Sequence, residues 1–131
     1  MSATTIDLVL ILGSNEDAAA QLERARAALA ARFGGLLAAS PVLASPASDR
    51  AQAPPYLNQA VMLRVEAADR VALKGELRAI EASLGRVRPA TRPGLCPIDI
   101  DLLGRWRESS ADIEIWDPKA AAAPYVAPLL A

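Results

Sequence analysis

Asp99 and Asp101 are the residues of this chain whose type and spacing point most directly to chemistry. They lie in the stretch Gly94-Leu95-Cys96-Pro97-Ile98-Asp99-Ile100-Asp101-Leu102-Leu103, whose second half alternates acid and aliphatic. On a β-strand this alternation sends both carboxylates to one face and Ile98, Ile100 and Leu102 to the other. Two adjacent carboxylates repel each other and gain nothing from burial unless a cation lies between them. Hard oxygen ligands that leave room for water and phosphate are what Mg²⁺ prefers. The same pattern also fits an edge strand whose solvated acidic face guards against aggregation. Asp-x-Asp alone is too short to decide between them.

The rest of the composition narrows the chemistry. There is no histidine, which removes Ser-His and Cys-His nucleophiles, imidazole metal ligands and the usual base near neutral pH. An enzyme built on this sequence works by positioning and by metal electrostatics. The single cysteine, Cys96, leaves no intrachain disulfide and suits a reducing compartment. A net charge of −1 without long runs of either sign gives no reason to expect nucleic acid or a membrane surface as partner. No apolar run reaches transmembrane length and no signal-peptide pattern opens the chain, so a cytoplasmic protein is expected.

The elements that must position these groups follow from periodicity. With 131 residues the chain suits one domain, residues 1–131, and with 4% aromatics its core is built from small aliphatic side chains. Residues 6–12 read as a central strand buried on both faces, ended by Gly13-Ser14-Asn15. Asn15 or Asp17 can cap the next helix, residues 18–33, whose stripe is Leu22, Ala25, Leu29 and Phe33 and whose stop is Gly34-Gly35. Residues 36–44 form a weaker strand in which Pro41 argues for an edge position or a bulge. The proline-rich loop at 45–55 is either a functional lid or a tolerated insertion.

Residues 57–65 alternate as a third strand, with Val61, Leu63 and Val65 on one face and Ala60, Met62 and Arg64 on the other. Asp69 caps a second helix at 70–84 with the stripe Leu73, Leu77, Ile80 and Leu84; Glu81 lies on its polar side, where glutamates are usually solvated. The loop at 86–97, with three arginines, either holds phosphates against a metal or merely neutralises the acids. A short strand at 113–116 and an apolar tail at 125–130 that packs back on the sheet complete the chain. The order β-α-β-β-α-β predicts an α+β, ferredoxin-like fold: a four-stranded antiparallel sheet with two helices on one face. Asn58 and the Asp pair then converge on the other face.

Four motifs together resemble the 6-hydroxymethyl-7,8-dihydropterin pyrophosphokinase (HPPK) family. They are Leu12-Gly13-Ser14-Asn15, Tyr56-Leu57-Asn58, Ile80-Glu81 with Gly85-Arg86-Val87-Arg88, and Ile98-Asp99-Ile100-Asp101. The resemblance implies a ferredoxin-like fold and transfer of pyrophosphate from MgATP to a hydroxymethyl pterin in a folate-type pathway. It assigns Asp99 and Asp101 to two Mg²⁺ ions held with ATP, and Glu81, Arg86 and Arg88 to the nucleotide, Arg88 also having a catalytic role. It assigns Ser45, Pro46, Tyr56, Asn58 and Tyr125 to the pterin. The partners expected are the pterin and ATP, with the chain a monomer or a weak homodimer.

The departures from the family pattern are equally specific. Pro93-Gly94-Leu95-Cys96 stands where the family has Trp-Gly-Pro-Arg, Trp116-Asp117-Pro118 where it has Pro-His-Pro, and Ala123 in place of an arginine. Three readings follow: a pyrophosphokinase with an altered nucleotide side, a catalytically degenerate paralogue that binds pterin or nucleotide, and a ferredoxin-like interaction module without catalysis.

Overall fold

The structure, a computed structural model, describes residues 5–46, 53–66, 69–90, 92 and 94–131. Its elements are β1 (Thr5–Ser14), α1 (Ala18–Phe33), β2 (Ala38–Ala39), β3 (Leu43–Ser45), β4 (Tyr56–Glu66), α2 (Arg70–Ser83), β5 (Asp99–Arg107), β6 (Asp112–Ile115), α3 (Pro118–Ala121) and α4 (Val126–Leu130). The aliphatic run of β1 has no polar side to offer water. It accordingly lies mid-sheet, antiparallel to β4 on one side and to β5 on the other.

Alternation then divides the side chains between two cores. Leu8, Leu10, Leu12, Val61, Leu63, Ile98, Ile100 and Leu102 meet Leu22, Ala25 and Leu29 of α1 and Leu73 and Leu77 of α2. On the opposite face Val9, Ile11, Ala60 and Leu103 are covered by Val126 and Leu129 of α4. The apolar tail therefore does pack back on the sheet, as a short helix. Its cover does not reach Gly13, Asn58, Asp99 and Asp101, which border a cavity on that face.

The α+β class and the antiparallel β-α-β-β-α-β core are as expected, with α1 and α2 sharing a face. The strand count is corrected: the sheet has six strands among the described residues, not four, in the order β2-β4-β1-β5-β6 with β3 also pairing β4. One extra strand arises because the predicted strand at 36–44 is broken in two. Pro41 has no N–H for the ladder. Beside it, the Ser40 hydroxyl accepts from the Ala60 N–H at 2.9 Å and the Ser40 N–H donates to the Ala60 carbonyl at 2.8 Å. The other extra strand is the short one expected at 113–116, which the four-strand count left out: it is β6, a hairpin partner of β5 on the far edge.

The helix ends show which caps operate. Asp69 accepts from the Val71 N–H at 2.8 Å and starts α2 as expected. Gly34, at φ 87°, ends α1 in a left-handed turn that an L side chain resists. The α1 start is different: Asp17 makes no side-chain cap bond, and Asn15 is engaged elsewhere. No helix among the described residues is long and apolar enough to cross a membrane. Of the predicted loop at 45–55, residues 47–52 lie outside the described residues, as do 91 and 93 of the loop at 86–97.

Between Val9 and Leu10 the β1–β5 register slips by one residue, so that Leu10 pairs with Leu102 and Val9 with Gly104. A Cβ on Gly104 would stand 2.0 Å from the Glu114 carbonyl oxygen of β6. That contact is with backbone and cannot be relieved by a rotamer change. Gly104→Ala is expected to destabilise the fold by about 1–3 kcal/mol; urea denaturation with an unchanged midpoint would show that β6 does not press on β5 this closely.

Candidate functional site

The site is built on one row of the sheet. Register places Asn58 of β4 and Asp99 of β5 on either side of Gly13 of β1. Directly opposed residues of antiparallel strands share a face, so amide and carboxylate flank a position that has no side chain. A Cβ at Gly13 would come within 3.1 Å of Asn58 Oδ1. Gly13 is thus the floor of a cavity of about 390 Å³, lined also by Ser45, Pro46, Tyr56, Asp101 and Tyr125. Every residue that the resemblance assigned to the pterin and the metal borders this one space.

Local bonds orient its walls. Asn58 is 2% exposed and its Nδ2 donates to Ser45 Oγ at 2.7 Å, which leaves Oδ1 over Gly13. Ser45 pairs with Tyr56 across β3 and β4, so the break at Pro41 still delivers the end of the second strand to the cavity rim. Tyr125 immediately precedes α4 and is carried to the rim by the packing of Val126 and Leu129. Burial, followed by the nearby Asp101, Asp99 and Asp117, raises the Tyr125 pKa and keeps its hydroxyl protonated.

The carboxylate pair carries its repulsion in its titration. Burial first, then Asp99, with smaller effects from Asp117 and Glu81, push Asp101 up from 3.8 to about 7. No cluster of three or more His, Cys, Asp or Glu side chains able to hold a metal occurs among the described residues. The donor set therefore suits a hard cation that takes most of its shell from water and ligand oxygens.

A second cavity, of about 230 Å³, lies beside the first and is lined by Arg86, Arg88, Arg92, Cys96 and Glu16. Behind its arginines is Glu81, which is 2% exposed rather than solvated as its helical position suggested. Its Oε1 accepts from Arg88 at 2.9 Å, and its Oε2 accepts the Ile100 N–H at 2.7 Å and lies 3.5 Å from Arg86. Arg86 in turn donates to Asp99 at 2.8 Å and to the Ile98 carbonyl at 3.0 Å. One network thus links both arginines to the strand of the Asp pair.

The positions that depart from the family pattern have local roles. Cys96 lines the arginine cavity, and burial raises its thiol pKa against the opposing pull of Arg86, so it carries no charge there. It also hydrogen-bonds with Tyr56, which joins it to the first cavity. Asp117 accepts from the Ala120 N–H at 3.0 Å and caps α3, while Trp116 packs under the Arg70 guanidinium at 3.9 Å. Ala123 lines the first cavity, and Pro93 lies outside the described residues.

Sequence reasoning left three participants without the role the structure gives them. Asn15, 5% exposed, donates to the Gly94 carbonyl at 2.7 Å and to Pro54 at 3.2 Å, and accepts from the Cys96 N–H at 2.6 Å. It ties together the two loops that border the cavities instead of capping α1. Its signals were an amide directly after a buried strand and its place in the Leu12-Gly13-Ser14-Asn15 motif, and neither pointed to the two loops. Arg92 was read only as one of three arginines in a loop that holds phosphates or neutralises acids, and Glu16, with which it pairs across the second cavity, had no signal beyond its charge.

Comparison with known families now places the chain. The model of the family described as 7,8-dihydro-6-hydroxymethylpterin-pyrophosphokinase (HPPK) matches residues 9–131 of the 131. The chain belongs to that family, a group of transferases of folate biosynthesis that use ATP with Mg²⁺. No curated protein matches it.

Without a cation, folded Asp101 holds its proton up to about pH 7, whereas the unfolded chain releases it near 3.8. Between those values the folded state binds more protons, so stability falls as pH rises through the window and stays lower above it. Asp101→Asn removes this effect. In divalent-free buffer the margin by which the variant melts above wild type is expected to be larger at pH 8 than at pH 5. Equal differences at the two pH values would contradict the strained pair.

Proposed function

We propose that this chain, acting as one domain, transfers the β,γ-pyrophosphoryl group of ATP to the hydroxymethyl oxygen of a pterin. The observation that carries this reading is the Gly13 row, where an amide and a carboxylate face each other across a bare floor. A flat heterocycle fits such a slot. Asn58 Oδ1 then accepts from the pterin's N–H edge, Tyr56 and Tyr125 offer ring surface, and Ser45 and Pro46 close the rim. The substituent of the ring points along the row to Asp99 and Asp101.

Arg86, hydrogen-bonded to Asp99, and Arg88, joined to Arg86 through Glu81, stand on the phosphate side. Two Mg²⁺ ions held by Asp99 and Asp101 together with phosphate oxygens would supply charge neutralisation for the transfer. The hydroxymethyl oxygen forms a bond to the β-phosphorus while the bond from that phosphorus to the α,β-bridging oxygen breaks, and AMP leaves with that oxygen. The hydroxyl proton passes to solvent. Asn58 and the tyrosines fix the acceptor, and Arg86 and Arg88 fix the donor. Glu81, with both oxygens engaged, acts through the two arginines rather than on the nucleotide.

A second reading, binding without transfer, is favoured by one observation: the neutral Cys96 thiol stands where the family pattern has a cation. A charge-assisted phosphate contact contributes about 1.5–3 kcal/mol. Titrating a hydroxymethyl dihydropterin and MgATP separately, then assaying AMP release with both, separates the readings. The transfer reading expects both to bind and AMP to appear only in their joint presence. Pterin binding without MgATP binding supports the second reading, and binding of neither supports the interaction module.

Cys96→Arg is expected to tighten MgATP about tenfold, the worth of one such contact. Because Cys96 also meets Tyr56, its effect on the pterin must be measured alongside. Calorimetric titration that finds MgATP unchanged, with a lowered melting temperature, would mean that position 96 faces packing rather than phosphate.

A further inference from the structure

The arginine cavity contains an anion that pyrophosphoryl transfer does not require. Glu16, in the turn after β1, lines it beside Arg86, Arg88 and Arg92. One of its carboxylate oxygens pairs with the Arg92 guanidinium, while Oε1 is buried with no hydrogen-bond partner. The other two arginines of the cavity are held by Glu81 and Asp99, neither of which lines it. Glu16 is the carboxylate on the cavity wall itself.

The pair is unequal in freedom. The Arg92 side chain is 62% exposed and that of Glu16 only 22%. The Glu16 backbone is pinned on both sides of its peptide: its N–H donates to Ser14 Oγ at 3.3 Å, and Ser14 Oγ donates to its carbonyl at 3.2 Å. Arg92 can turn to an incoming phosphate; Glu16 cannot follow it out. A polyphosphate that takes Arg92 leaves the carboxylate half-buried, unpaired and beside new negative charge, which is unfavourable on each count.

We propose that Glu16 is a resident counter-ion of the phosphate side, competing with the ligand for Arg92 and thereby setting how tightly polyphosphate is held. Any ligand engaging Arg92 must first outcompete a carboxylate already at contact distance. Ligands with charge enough to engage Arg86 and Arg88 as well meet that condition. The inference rests on the reading of this cavity as the phosphate side, so its test avoids both nucleoside and pterin.

Inorganic tripolyphosphate is titrated calorimetrically into wild type, Glu16→Gln, Arg92→Ala and the double variant, with melting temperatures recorded for each. Glu16→Gln is expected to tighten tripolyphosphate about tenfold, and the gain is expected to vanish in the Arg92→Ala background. Unchanged or weaker binding to Glu16→Gln, or an equal gain without Arg92, overturns the inference and leaves the phosphate-side reading standing. Failure of tripolyphosphate to bind any of the four folded proteins overturns both.

Discussion

The site depends on one buried carboxylate. Glu81 leaves α2 in a position that periodicity marks as polar, yet it is almost fully enclosed, and it survives there because three donors converge on it. Taking a charge out of water costs several kcal/mol unless it is paired and hydrogen-bonded, and removing one partner of a buried pair typically costs about 3–5 kcal/mol. Each donor comes from a different place: the Ile100 N–H from β5, Arg86 from the turn at the end of α2, and Arg88 from the loop beyond. Glu81 therefore ties α2, and the arginines that follow it, to the strand that presents the Asp pair. Were that tie made by apolar packing alone, the two charged groups would still lack a common reference.

The same network explains how a strained pair of acids persists. Asp99 has the Arg86 guanidinium at hydrogen-bond distance, while burial and Asp99 itself push Asp101 up to about 7. The two carboxylates, identical in type and adjacent on one face, are thus distinguished by their surroundings. One is already partnered by a cation from the protein; the other lacks one. An external cation that settles between them gains most from Asp101, where the electrostatic debt is largest.

How much of this the sequence discloses depends on the range of the interactions involved. Strand alternation and helical stripes are local, and they placed Leu8 to Leu12, the α1 and α2 stripes and the facing of Asp99 and Asp101 correctly. The broken second strand was half legible: Pro41 announced a defect, but whether the ladder bulges or stops depends on Ser40 meeting Ala60 across the sheet. Glu81 and Asn15 were misread for the same reason. Each is polar and stands where polar residues ordinarily serve a local purpose, solvation for one and helix capping for the other. Their partners lie 19 residues away at Ile100 and 79 away at Gly94, and no local pattern encodes such a meeting. Family resemblance supplied the long-range information that periodicity lacked, by marking the motifs as parts of one site.

The two faces of the sheet divide the work between stability and chemistry. The face under α1 and α2 is filled with leucine, isoleucine and valine, and the cavity of about 430 Å³ on that side opens at the far end of the sheet, beside Phe33, Val65, Leu73 and Glu76. The opposite face is only partly covered, because α3 and α4 together are nine residues long and end their apolar contact near Leu103 and Ala60. That short cover is enough to seat Tyr125 at the rim and too short to bury the Gly13 row. Had the tail formed a longer helix along β1, it would have buried the Asp99–Asp101 pair beneath apolar side chains. The polar end of the sheet and the limited reach of the C-terminal helices are therefore one constraint: the carboxylates require an opening, and that opening is the site.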